Sequence, residues 1–162
     1  MNLTLSSPCV TVTLSRPDGD VSVTLRPLPI GFHRRLKEQG VVPPTPPRVA
    51  ARDSAGRVLR DDDGRPVLVA DDSAAPHLAA VDRYQERLAA LMIAAALGGE
   101  VQVETPQPAE DGDWPAFADA VLAELSEAGV TPGEVARLVR GVCEASGLID
   151  RHIAAEGDAL FP

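Results

Sequence analysis

The chain has 162 residues, 24 of them acidic against 15 basic, for a formal net charge of −9, and it is 44% hydrophobic with only 3% aromatic residues. A surface of that sign cannot displace the counterions of a phosphate backbone, which sets nucleic-acid recognition aside. The length favours one domain, or one domain carrying an insertion, with a core built of Val, Leu and Ala and a large share of turn marked by fifteen prolines and thirteen glycines.

Met1 to Val10 lacks both a basic start and a continuous apolar run, so no export signal is expected and the protein reads as cytoplasmic. Cys9 and Cys143 form no metal-ligand or redox spacing, which fits a reducing compartment. Val10–Leu14 and Val21–Leu25 alternate apolar and hydroxyl residues, the period of strands with one buried face. Between them Pro17, Asp18 and Gly19 supply the corners of a tight turn, which predicts a hairpin. A lone hairpin is marginal in water, so the face bearing Val10, Val12, Leu14, Val21, Val23 and Leu25 is expected to rest on helices.

Pro27 and Pro29 end the second strand, and a short helix from about Ile30 to Gln39 stops at Gly40. Its His33, Arg34, Arg35 and Lys37 read as a solvated face. Pro43 to Pro47 is a stiff spacer that opens a proline-flanked insertion, residues 43–75. There the β-like runs at 49–52, 57–60 and 66–70 alternate with the turn sequences Asp53 to Gly56 and Asp61 to Gly64, predicting a short exposed meander or a loop. The acidic triplet before Gly64 fails as a calcium loop, since Leu59 and Ala70 stand where carboxylates are needed.

The stretch His77 to Leu97 predicts the longest helix. Val81, Tyr84, Leu88, Leu91, Met92 and Ala95 share one arc, and from Leu88 onward no charge interrupts it. A helix apolar all round is covered either by its own chain or by a partner. The uncharged half is too short to span a bilayer, so no membrane is expected. Gly98 and Gly99 cap the helix, and residues 100–112 read as a flexible acidic loop with a short strand at 101–103.

Asp113 is placed to cap a helix bearing Trp114, Phe117, Val121 and Leu125 on one side, with Asp119, Glu124 and Glu127 pointing away. Thr131-Pro-Gly-Glu134 is a capping box that opens a last helix with Val135, Leu138, Val139 and Val142 on one arc. The short connection makes these two helices an antiparallel pair. Residues 150–162 read as a frayed tail. The fold class expected is α+β: a single domain, residues 1–162, with an N-terminal hairpin on a small helical bundle.

The three histidines lie in different segments without metal-ligand spacing, no glycine-rich turn opens a helix, and no G-x-S-x-G occurs. These absences point away from an enzyme and from any cofactor or metal. The uncharged half of the long helix makes Leu88, Leu91, Met92, Ile93 and Leu97 the candidate contacts to a partner or a second copy; the alternative is that Trp114, Phe117, Val135 and Leu138 cover them.

The order of segments then becomes suggestive. Val21 to Leu28 (VSVTLRPL), a short polar helix, Arg83 to Gly99 (RYQERLAALMIAAALGG), an amphipathic helix and the closing Glu144-Ala-Ser-Gly-Leu148 together resemble the tail assembly chaperones of long-tailed bacteriophages and prophages. The likeness spans about two thirds of the chain and omits residues 43–75 and the tail. It implies a non-enzymatic factor in the host cytoplasm whose client is the tape measure protein, displaced as tail tube protein polymerises, and it is consistent with a homo-oligomer around the client. The alternative is a structural virion component, such as a tail-completion or head-to-tail adaptor protein.

Overall fold

The computed structural model describes residues 8–17, 19–99 and 101–149. In chain order these form β1 (Val10–Leu14), β2 (Val21–Leu25), α1 (Phe32–Glu38), β3 (Arg48–Ala50), β4 (Leu68–Ala70), α2 (Ala75–Ala96), β5 (Leu97–Gly98), α3 (Trp114–Glu127) and α4 (Pro132–Ala145). The class is α+β, as the residue patterns predict. The chain divides into two compact units, one made of the residues up to 41 together with those from 86 onward, the other of 42–85.

In the first unit β1 and β2 pair antiparallel with Val10 opposite Leu25, Val12 opposite Val23 and Leu14 opposite Val21. All six aliphatic residues therefore share the predicted face. Leu14, Val23 and Leu25 are buried, Val10 and Val12 half-buried, while Val21 at the turn end stays exposed. The turn closes by a bond from the Gly19 N–H to the Arg16 carbonyl, 3.1 Å. Asp18, assigned to its second corner, lies outside the described residues.

The helix resting on this face is α4, and Gly141 sets the approach. A Cβ built there would stand 2.7 Å from Val12 Cγ2 and 2.8 Å from Leu25 Cδ1. Only glycine lets the helix backbone come that near the sheet. The docking is pinned at its far end by Ser146, whose Oγ accepts the Leu28 N–H at 2.9 Å and donates to the Val142 carbonyl at 2.7 Å. At its near end the Thr131–Glu134 capping box forms as the sequence predicts. Arg16 then reaches over from the hairpin, donating to the Gly129 carbonyl at 2.7 Å and lying 3.2 Å from Glu134.

The end of the long helix differs from the sequence reading. α2 stops at Ala96, and Leu97 and Gly98, expected as its last residue and its cap, pair instead with Leu25 and Thr24 as the third strand, in sheet order β1-β2-β5. The physical reason is the open edge of β2, whose backbone groups need partners. The Arg26 N–H also takes the Ala96 carbonyl, at 2.7 Å. No strand forms at 101–103. The remaining core comes from Phe32 and Leu36 of α1, Val41 just beyond it, Ala90, Leu91, Met92, Ile93 and Ala96 of α2, Trp114, Ala118 and Val121 of α3, and Leu138, Val142 and Ala145 of α4.

Residues 42–85 make the second unit, which includes the expected meander. Its sequence carries a repeat of eight: Ala51 to Val58 reads A-R-D-S-A-G-R-V, and Leu59 to Pro66 reads L-R-D-D-D-G-R-P. Each copy folds into the same turn. Asp53 Oδ1 accepts the N–H groups of Ala55 and Arg57, Asp61 Oδ1 those of Asp63 and Arg65, and Arg52 and Arg60 each donate to the carbonyl of the glycine four residues on. The backbone N–H of Arg57 holds the Asp53 carboxyl below its ordinary range. Where the hairpins meet, three backbone bonds close a ring: Ala51 to Val67, Val67 to Leu59 and Leu59 to Ala51, 2.8–2.9 Å. β3 pairs with β4 beside this ring, Val49 opposite Val69. Pro66 lies outside β4, in an isolated bridge with Arg60. The tail predicted for 150–162 lies outside the described residues.

Candidate functional site

The first unit contains a groove of about 610 Å³ with aromatic and aliphatic walls. α1 supplies Phe32, Arg35 and Leu36, spaced to share one helical face. α2 supplies Leu91, Ala94 and Ala95, and Leu97 follows in β5. Because Ala94 and Ala95 are small, this side of the helix leaves a channel open, while the buried Met92 and Ile93, absent from the lining, pack elsewhere in the core. α3 adds Trp114 and Phe117, whose rings meet edge to face with centroids 5.8 Å apart.

The last wall is the segment 101–110, which its prolines and acidic residues mark in sequence as a flexible loop. It is anchored at two points. Glu124, expected to point away from the core, accepts the Glu104 N–H at 2.6 Å, the Thr105 N–H at 3.1 Å and the Thr105 hydroxyl at 2.8 Å. The Trp114 indole N–H donates to the Ala109 carbonyl at 3.1 Å. The Glu104 backbone bond, opposed by partial desolvation, holds the Glu124 carboxyl below its ordinary range.

Arg87 joins α2 to α3 by a two-pronged pair with Asp119, 2.7 and 2.5 Å. The rim is of mixed sign, with Arg35 on the helical side and Glu104 and Glu110 on the loop. Among the described residues the lining holds no histidine, cysteine, serine, lysine or tyrosine, and the hydroxyl of Thr105 is committed to Glu124. Such a groove can desolvate apolar side chains.

Since the clamp needs an ionised Glu124, its contribution is present above the ordinary glutamate value of 4.5 and is lost as pH falls below it through the lowered folded-state value. Acidification is therefore expected to free the loop and shift the emission of Trp114, the single tryptophan. Glu124→Gln is expected to show the altered emission already at neutral pH and no acid step. An unchanged acid step in that variant would assign the transition elsewhere.

The structure divides the five predicted contact residues. Leu91 and Leu97 line the groove, Leu91 with only 2% of its surface exposed and Leu97 half-buried. Met92 and Ile93 lie in the core at 6% and 0% exposure, covered by the chain itself, and Leu88 is half-buried and apart from the groove lining. The sequence reading passed over Phe32 and Leu36, although their spacing of four just after Gly31 is a helical signal. It also missed the ordered wall at 101–110, for which the acceptor Glu124 lies about twenty residues downstream.

Of the histidines, His33 is exposed on α1, His77 sits in the first turn of α2 with a buried Nδ1 lacking a hydrogen-bond partner, and His152 lies outside the described residues. Among the described residues no three His, Cys, Asp or Glu side chains converge as a metal site would require, and no helix is long and apolar enough to cross a membrane. No protein-family model matches the chain, and neither the curated proteins nor the solved structures contain a significant match.

Proposed function

We propose that this chain is a non-enzymatic assembly chaperone of the phage-tail kind, acting in the bacterial cytoplasm, and that it holds apolar helical segments of a tape measure protein in solution. The groove between α1, the end of α2, the 101–110 segment and α3 is the observation that carries this reading. It is lined by the half-buried Leu97 and Phe117 together with the buried Phe32 and Trp114, which suits the side chains along one stripe of an amphipathic helix. The formal charge of −9 then keeps the loaded complex from aggregating. Release as tail tube protein polymerises belongs to the same proposal.

The test is co-expression with a tape measure protein, followed by pull-down and light scattering. A soluble complex is expected with the wild-type chain. The double variant Leu97→Ala, Phe117→Ala is expected to stay folded by circular dichroism yet lose at least about tenfold in client affinity, since two apolar contacts of roughly 1 kcal/mol each are removed. A client equally soluble with the double variant would sink the groove as its site. The competing reading, a tail-completion or head-to-tail adaptor, requires the chain at fixed stoichiometry in purified particles; the chaperone requires its absence there.

A further inference from the structure

The meander of residues 42–85 has a feature that the groove leaves unexplained. Side chains alternate across a strand, and Val49 and Val69 are directly paired. Two residues further along each strand, Ala51 and Val67 belong to the backbone ring that Leu59 completes. The bridges Arg52–Val58 and Arg60–Pro66 place those residues on the opposite side. One face of the meander therefore carries Val49, Ala51, Leu59, Val67 and Val69. Val49, Leu59, Val67 and Val69 are 38–45% exposed, although residues of this type in a sheet face normally lie covered.

The border of this face decides what fits it. The same alternation puts Asp53, Arg57, Asp61 and Arg65 around the apolar centre, two of each sign, with Arg57 Nε 3.0 Å from Asp53. Residues 42–85 hold six arginines and seven aspartates, so nearly all of the formal charge of −9 belongs to the rest of the chain. Two copies approaching through the rest of the chain bring together surfaces of net like charge, which on balance repel. Two copies approaching through this one meet an apolar centre inside a border of balanced charge, which a two-fold rotation brings into register with itself.

We propose that the chain self-associates through this face, the meander of one copy packed against that of a second in a two-fold contact. The proposal is independent of what the groove of the first unit binds. Sedimentation velocity on the full chain over a wide concentration range is the test. Mass is expected to rise from one chain toward two with concentration. Val69→Glu sets two like charges against each other across the axis and is expected to raise the dissociation constant by more than about tenfold. Leu78→Glu, an equally exposed aliphatic position on α2, is expected to leave it unchanged. Val69→Thr, which keeps the branched shape, should weaken the dimer while circular dichroism stays that of the wild type. A wild-type chain that remains monomeric, a dimer indifferent to Val69→Glu, or a Val69→Thr chain that loses its fold would each overturn the proposal, the last because a face needed internally is not free to dock.

Discussion

Replacing Ile93 with aspartate is expected to leave no folded protein at room temperature. Ile93 has none of its surface exposed and is among the largest fully buried side chains. A carboxylate there must either be buried charged or be protonated at neutral pH, and in both cases the apolar packing is lost. The combined cost is about 5 kcal/mol or more, comparable with the whole stability of a small domain. Ile93→Ala isolates the packing part and should cost about 2–5 kcal/mol in a urea titration. A folded Ile93→Asp chain with an unchanged midpoint would show that the helix is free on that side after all. This position separates the two roles that the uncharged half of α2 suggests, and its burial places it with the core.

The second large effect is expected at Gly141. In most helices glycine to alanine gains about 1 kcal/mol from backbone propensity. Here the new Cβ would lie 2.7 Å from a Val12 methyl and 2.8 Å from a Leu25 methyl, both in the sheet under α4. Overpacking of this kind costs about 1–3 kcal/mol, so Gly141→Ala is expected to be destabilising overall. Gly141→Val adds two more methyls and a stiff branch, and should cost at least about 3 kcal/mol. Gly133 in the same helix has nothing within 4 Å of the position of its Cβ. Gly133→Ala is therefore expected to be neutral or stabilising by up to about 1 kcal/mol. Thermal melts of the three variants check the ordering, and a stable Gly141→Val would mean that α4 does not sit on the hairpin at this distance.

These positions also mark what the sequence discloses and what it conceals. The hairpin, its register face and the caps of α3 and α4 were legible because each depends on neighbours: alternation over five residues, a Pro-Asp-Gly turn, Asp113 before Trp114, Thr131 three residues before Glu134. The eight-residue repeat at 51–66 is equally local, and its two aspartate turns are the part of it that turn chemistry alone predicts. Features set by distant partners were not legible. Leu97 and Gly98 become a strand because β2 has an open edge, Glu124 is engaged because the Glu104 and Thr105 donors reach it, and Gly141 is a contact point only once Val12 and Leu25 lie beneath it. For the groove, Trp114, Phe117, Leu91 and Leu97 could be named from helical spacing, whereas the choice of which side of α2 stays open depends on Ala94 and Ala95, small residues that a hydrophobic arc treats as filler.

The path of the chain has a consequence for the order in which it can fold on the ribosome. The Leu28 N–H and the Ser146 hydroxyl that receives it are 118 residues apart, and the helix covering the first two strands is α4. Until α4 emerges, the apolar side of the β1–β2 hairpin has no cover from that helix, and the third strand of its sheet is missing until residue 98. The meander of residues 48–70, by contrast, closes its backbone ring within a single short stretch. Contacts spanning short loops form early and those spanning long ones late. For much of its synthesis the nascent chain thus exposes the surface that its first strands will bury last, a window in which the hairpin itself is the segment most in need of protection.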